Sequence, residues 1–170
     1  MSWCAIGLDN PKSPGNVGSI IRSCGCFAAD EIFYTGERYD RAQKFHTDTA
    51  NARATLPLTH KESLFISLPE NTQTVCVELV ENAIALPQFQ HPEHCLYVFG
   101  PEDNNLTQQC IDQCDHVVFI PARHCLNLSA TVNIVLYDRW MKSQNELSKE
   151  DYNQMIRNSR DCRNNLSTTA

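Results

Sequence analysis

The sequence predicts an α/β fold in which a parallel sheet is covered by helices on both faces. Short apolar runs bounded by Gly, Pro, Asn and Asp recur along the chain, as buried strands do. Between them lie segments whose apolar residues fall three and four apart, the spacing of a helix with one buried face. The loops after three of the strands are rich in Gly, Pro and Asn. In a parallel sheet, ligands collect on such loops, beyond the carboxyl ends of the strands.

The elements follow in order. "WCAIGL" (3–8) reads as the first strand, bounded by "DNPKSPG". From Asn16 the spacing turns helical: Val17, Ile20, Ile21, Cys24, Phe27 and Ala28 form one apolar face. Asn16 is the expected N-cap, because its side chain can accept from a free backbone N–H. Arg22 falls with Ser19 and Cys26 on another face and so leaves the core. "EIFYT" (31–35) is a second strand, "TLPLTH" (55–60) a short extended piece, and 61–68 ("KESLFISL") a helix. Strands are expected at 74–79, 95–100 and 116–120, with a helix over 106–113 between the last two. A long helix over 126–142 and a short one from about 148 complete the chain. With no internal repeat and no linker, one domain is expected over 1–160, followed by a polar tail, 161–170, that frays.

Composition narrows the function classes. The chain has 170 residues, 42% hydrophobic and 20% charged, as in ordinary globular proteins. No apolar run approaches the length of a membrane span. The first residues carry no basic segment before their apolar ones, so no signal peptide and a cytoplasmic location are expected. A net charge of −6 counts against nucleic-acid binding by bulk charge but leaves room for a local basic patch. Arg38, Arg41 and Lys44, with Arg53 following, are close in sequence, although a solvated loop and helix start explains them as simply. The nine cysteines are odd in number and scattered through apolar segments, so they are expected to be reduced and mostly buried. "SCGC" and "HPEHC" lack the paired spacing of a structural zinc site, and no metal is expected.

Three loops carry the candidate chemistry: "DNPKSPGNVG", "FGPEDNNL" and "IPARHCLNLSA". No G-x-G-x-x-G follows the first strand and no P-loop lysine pattern appears, so an ordinary nucleotide site has no support. Cys125 beside His124 is a poor nucleophile pair, because adjacent side chains diverge. Read together, the loops resemble a known family. Asn16, Gly18 and Arg22 as N-x-G-x-x-x-R, "FGPE" ending a strand, and "IP" followed by "CLNLSATVNIVLYD" are similar to the three motifs of the TrmH/SpoU family. These are RNA ribose 2′-O-methyltransferases of the SPOUT superfamily, and the short chain is most like the TrmL subgroup, which acts on the tRNA wobble nucleotide.

The resemblance implies a deep C-terminal trefoil knot, a homodimer, and S-adenosylmethionine bound by the knotted loops. It makes Arg22, Asn16, Glu102 and Asn127 the candidate catalytic residues. It gives Glu78, Leu79, Gly100, Ile120, Cys125, Leu126 and Leu128 to the cofactor. It also implies an RNA substrate, tRNA in the first place and rRNA as the alternative. Methyl transfer to a hydroxyl needs positioning and a favourable field for the developing alkoxide, and needs no metal. A guanidinium suits both a phosphate and that oxygen, which is the role expected of Arg22. Taken singly, Glu102 is also explained as a carboxylate at a helix start, and Asn16 and Asn127 as caps. A dimer could gather Arg38, Arg41, Lys44, Arg53 and Arg123 into one basic groove.

The chain departs from the family pattern in three places: Cys125 stands where a serine is usual, the loop before it is short, and Asn105 replaces a common glycine. The first two leave open a relative that binds RNA or cofactor without catalysis. Methyl transfer to a base nitrogen is also open, though an arginine at position 22 favours ribose.

Overall fold

Seven strands, every adjacent pair parallel, form one sheet in the order β3-β2-β1-β6-β4-β7-β5. They are β1 (Trp3–Leu8), β2 (Glu31–Tyr34), β3 (Leu58–His60), β4 (Gln73–Val77), β5 (Ile84–Ala85), β6 (His94–Phe99) and β7 (His116–Phe119). The helices are α1 (Pro14–Cys26), α2 (Arg38–Gln43), α3 (Gln108–Asp112), α4 (Leu128–Ser143) and α5 (Lys149–Ser159). A 3₁₀ turn, Leu86–Gln88, follows β5. The computed structural model describes residues 2–44, 56–144, 146–159 and 166. Arg53, Cys162 and nearly all of the expected tail lie outside the described residues.

The period of two along each strand divides the core. On β6, Cys95, Tyr97 and Phe99 face one layer, with Val17, Ile20 and Ile21 of α1 and Val132, Val135 and Leu136 of α4. Leu96 and Val98 face the other, with Leu64, Leu106 and the partly buried Cys110 and Ile111 of α3. Helices therefore cover both faces, and β1, β6 and β4 at the centre read as apolar runs because neither side meets water.

Two local expectations are corrected. Ser13, not Asn16, caps α1: its hydroxyl accepts from the Asn16 amide at 3.3 Å, and its backbone is extended. Pro14 enforces this, since a residue before proline is driven from helical angles while proline itself fits the first helical position. Residues 61–68 form turns rather than a helix. The Ser63 hydroxyl accepts from the Phe65 amide, Ser67 has a φ of 57°, and Pro69 disfavours a helical Leu68. Leu64, Phe65 and Leu68 still reach the core, which explains the helix-like spacing. The helix start expected near Arg38 is α2, whereas sequence spacing carries no sign of β5.

Among the described residues no helix is long and apolar enough to cross a membrane. Of the described cysteines, Cys4, Cys24, Cys76 and Cys95 are buried, Cys110 and Cys114 partly so, and Cys26 and Cys125 exposed; all are free thiols.

Candidate active site

The chain leaves β1 toward β2 and leaves β6 toward β7, in opposite directions across the sheet. These neighbouring strands form its switch point, where parallel sheets open a crevice at the carboxyl ends. Loop 9–13 after β1 and loop 100–107 after β6 meet there. The Glu102 carboxylate accepts from the backbone N–H of Lys12 at 2.8 Å and of Ser13 at 2.9 Å, and from Asn16 Nδ2 at 3.0 Å. Partial burial pushes the carboxyl up, but these hydrogen bonds outweigh it and hold Glu102 below its ordinary pKa of 4.5.

The chain of bonds continues into the third loop. Asn127 Nδ2 donates to Asn16 Oδ1 at 3.1 Å. Asn127 Oδ1 in turn accepts from the Ser129 amide, the Ser129 hydroxyl and the Ala130 amide, capping α4. Asn127 is thus a cap and a link at once. Glu102, Asn16 and Asn127 form one hydrogen-bonded series that ties α1, loop 100–107 and α4 together, and α1 packs directly on α4 in the shared core.

Beside this series lies a cleft of about 680 Å³ over the ends of β4, β6 and β7. All seven residues expected at the cofactor line it: Glu78, Leu79, Gly100, Ile120, Cys125, Leu126 and Leu128. Glu102 and Asn127 also reach it, whereas Asn16 and Arg22 do not line it. Glu78 closes one wall, accepting from its neighbour Leu79 N at 2.9 Å and from Leu106 N at 3.1 Å. At Gly100 a Cβ would come within 3.3 Å of the Leu106 amide nitrogen, so any larger residue would press on the tight return of loop 100–107. Leu79 and Leu126 are 59% and 40% exposed, an apolar presence in a polar-rimmed cleft of the kind that receives a flat organic group. Asn105 does not take a positive φ, so the glycine usual there is not required by this turn.

Arg22 is exposed on α1, with no ion pair or hydrogen bond among the described residues. Among the described residues, then, no carboxylate pairs with it. The other expected cations differ. Arg38 binds both oxygens of Asp103 at 2.8 Å, Arg41 pairs with Glu37 one turn before it, and Arg123 lies exposed in the third loop. Lys12 and Asp103 were not singled out from sequence. The signal available was a lysine between two prolines in the first loop and an aspartate directly after Glu102 in the second. No group of His, Cys, Asp and Glu among the described residues is arranged to hold a metal ion.

The sequence profile of the SpoU rRNA Methylase family matches residues 4–137. The tRNA (cytidine-2′-O-)-methyltransferase TrmJ of Methanocaldococcus jannaschii is 27% identical, over 90% of this chain and 78% of its own. Two solved structures share the fold. The SpoU methyltransferase AviRb of Streptomyces viridochromogenes, in complex with AdoMet, superposes with a TM-score of 0.66 at 21% identity, over 83% of this chain and 60% of that one. An rRNA methyltransferase from Sinorhizobium meliloti superposes with a TM-score of 0.68 at 19% identity, over 84% and 57%. The chain thus spans about three fifths of each of these two proteins.

Proposed function

The chain belongs to the SpoU methylase family, and from that premise we propose that it transfers a methyl group from S-adenosylmethionine to a ribose 2′-hydroxyl of tRNA. The observation that carries this reading is the Glu102–Asn16–Asn127 series, which joins the three motif loops into one wall beside a cleft of about 680 Å³. The archaeal relative's name, a tRNA cytidine 2′-O-methyltransferase, supports tRNA over rRNA. The wobble nucleotide is the proposed target, on the strength of the chain's likeness to the short TrmL subgroup.

The cleft suits the cofactor. Exposed Leu79 and Leu126 offer flat apolar contact, while the backbone at Gly100, Ile120 and Cys125 to Leu128 offers polar edges. When bound, S-adenosylmethionine supplies an electrophilic methyl on a sulfonium. This chain's residues then have three tasks. Leu79, Gly100, Ile120 and Leu126 hold the cofactor, with Glu78 tying the segment at Leu79 to loop 100–107 through the Leu79 and Leu106 amides. Glu102, Asn16 and Asn127 act as positioning residues, since their polar atoms are engaged with one another and with backbone. Arg22, exposed on α1, grips the target nucleotide's phosphate and steadies the hydroxyl oxygen as its proton leaves. The hydroxyl oxygen forms the new bond to carbon, the carbon–sulfur bond breaks, and the proton passes to solvent.

Two finer features belong to the same proposal. Residues 116–143 are threaded as a trefoil knot, in keeping with the insertion of β7 between β4 and β5 before the chain returns to α1. Two copies associate, in keeping with Ile134 and Tyr137 of α4 being 38% and 55% exposed beside α1. An unthreaded chain in a crystal structure, or a monomeric mass by sedimentation, removes the corresponding feature.

The test is methyl transfer to unmodified tRNA, with the product nucleoside read by mass spectrometry. A ribose methyl leaves with the sugar fragment, and Arg22→Ala should lower the rate about 100-fold or more while cofactor binding persists. A methyl retained on the base would replace this reading with base methylation. Cofactor binding without transfer to any RNA would replace it with a non-catalytic relative.

A further inference from the structure

At the rim of the cleft, Asp103 lies between two cations from separate elements. Arg38, at the start of α2, donates from Nη2 to both Asp103 oxygens at 2.8 Å. Lys12 Nζ, from the loop after β1, reaches Asp103 Oδ2 at 3.3 Å. One oxygen is therefore within reach of an ammonium and a guanidinium together. All three side chains meet solvent: Lys12 is 62% exposed, Asp103 48% and Arg38 30%.

These ion pairs are not what holds the loops. Glu102, the preceding residue, already fixes the backbone of Lys12 and Ser13. Exposed pairs of this kind add little to stability. Asp103 is nonetheless held below the usual carboxylate range, first by the Arg38 hydrogen bond and then by Lys12. A carboxylate is thus seated where the chain presents two donors to a single oxygen, and little free energy is lost if another anion takes its place.

We propose that Lys12 and Arg38 form a clamp for a backbone phosphate of the RNA, and that Asp103 is an internal anion which the phosphate displaces on binding. This rests on the RNA-methyltransferase reading above and adds to it a site and a restraint. A backbone phosphodiester presents two non-bridging oxygens that share one negative charge, and the guanidinium fork and the ammonium can grip these as they grip the two oxygens of Asp103. Because Asp103 must first be released, polyanions that reach only the rim bind weakly, while an RNA that also engages the cleft gains enough contact to open the clamp. In a chain of net charge −6, a few cations with assigned partners can then serve RNA without a broad basic face.

The experiment is binding of bulk tRNA, without cofactor, across a series of salt concentrations. Asp103→Asn should tighten binding about two- to fivefold, the worth of an exposed pair that no longer has to break. Lys12→Ala and Arg38→Ala should each weaken binding and reduce the slope of log affinity against log salt by about one, as removal of a cation that meets one phosphate does. In the doubly substituted Lys12→Ala, Arg38→Ala chain, Asp103→Asn should change nothing. Unchanged or weaker binding in the single Asp103→Asn variant overturns the clamp. So does a gain that persists in the doubly substituted background, because that is a general charge effect. If the unaltered chain binds no tRNA and methylates none, the tRNA reading falls and the clamp falls with it. If the chain methylates tRNA but Asp103→Asn has no effect, only the clamp falls.

Discussion

Glu102 shows how much can rest on one carboxylate. Its two oxygens accept from two backbone amides and one side-chain amide, all from the segment between β1 and the first turn of α1. Replacing it with Gln keeps the shape but turns an NH₂ group toward these donors, leaving at least one unpaired. The expected cost is about 1–3 kcal/mol of unfolding free energy, the penalty for an unsatisfied donor. The pH dependence has a definite sign. Glu102 is held below its ordinary 4.5 in the fold, so the unfolded chain takes up its proton first as pH falls. Its stabilisation is present above 4.5 and is lost as pH drops through the lower folded value. Urea unfolding of Glu102→Gln beside the unaltered chain should therefore show the two curves converging below that pH. Curves that stay parallel would mean that Glu102 contributes no ionised anchor. That Glu102 mattered was legible from "FGPE", but its partners were not, because they come from residues about 90 positions earlier in the chain and no spacing reports such a contact.

Among the elements, the start of α1 was misjudged for a reason that can be stated. Asn16 is the first residue before the apolar repeat and is a good capping type, so the pattern favoured it. Apolar periodicity cannot see the first turn of a helix when that turn holds Pro14 and Gly15, which contribute nothing to the repeat. The capping role passes to Ser13, and Asn16 at the third helical position is freed to join Glu102 to Asn127. Ser13→Ala should cost about 0.5–2 kcal/mol, as cap removals do. It should also raise the cofactor dissociation constant, because the first turn carries one end of the series beside the cleft. Thermal melting with and without cofactor separates the two effects, and a loss of stability with no change in affinity would detach α1 from the cofactor wall. The segment 61–68 failed the other way: Leu64, Phe65 and Leu68 have helical spacing, but Ser63, Ser67 and Pro69 favour turns, and local chemistry overrode the period. The strands were read closely because β1, β4, β6 and β7 are short apolar runs with turn residues at both ends.

At the scale of the whole molecule, α4 connects the third motif to the opposite end of the sheet, and the fastening there is built on a buried histidine. The His91 side chain is 4% exposed, with Nε2 at 2.9 Å from Asp138 of α4 and Nδ1 against the Tyr97 hydroxyl of β6. Asp138 also receives Lys142 at 2.6 Å, and Lys142 donates to the carbonyls of Leu86 and Phe89. Arg139 donates to the carbonyls of Pro92 and Glu93, so the strand-to-strand segment 86–93 is fastened to α4 along its length. Burial disfavours the imidazolium and lowers the His91 pKa from 6.5, against the opposing pull of Asp138, with Lys142 and Arg139 adding to the lowering. The neutral ring donates from Nε2 to Asp138 and accepts at Nδ1 from Tyr97, whose own hydroxyl is kept protonated by burial. Since the folded value lies below the unfolded one, the unfolded chain binds more protons once pH falls below 6.5. The contribution of His91 is thus complete above 6.5 and declines as pH falls toward the folded value. Stability measured by urea from pH 8 to about pH 5, the range over which histidine titrates, should fall on the acid side, and His91→Gln should remove that part of the slope while lowering stability at pH 8. An unchanged slope in the variant would mean that the acid sensitivity lies elsewhere and that α4 is held to the sheet by its apolar face alone. Because α4 is capped by Asn127 and carries Asp138 two-thirds of the way along, loosening this far end should also weaken cofactor binding at mildly acidic pH, a coupling through one rigid helix that titration of the cofactor at pH 8 and at pH 6 measures directly.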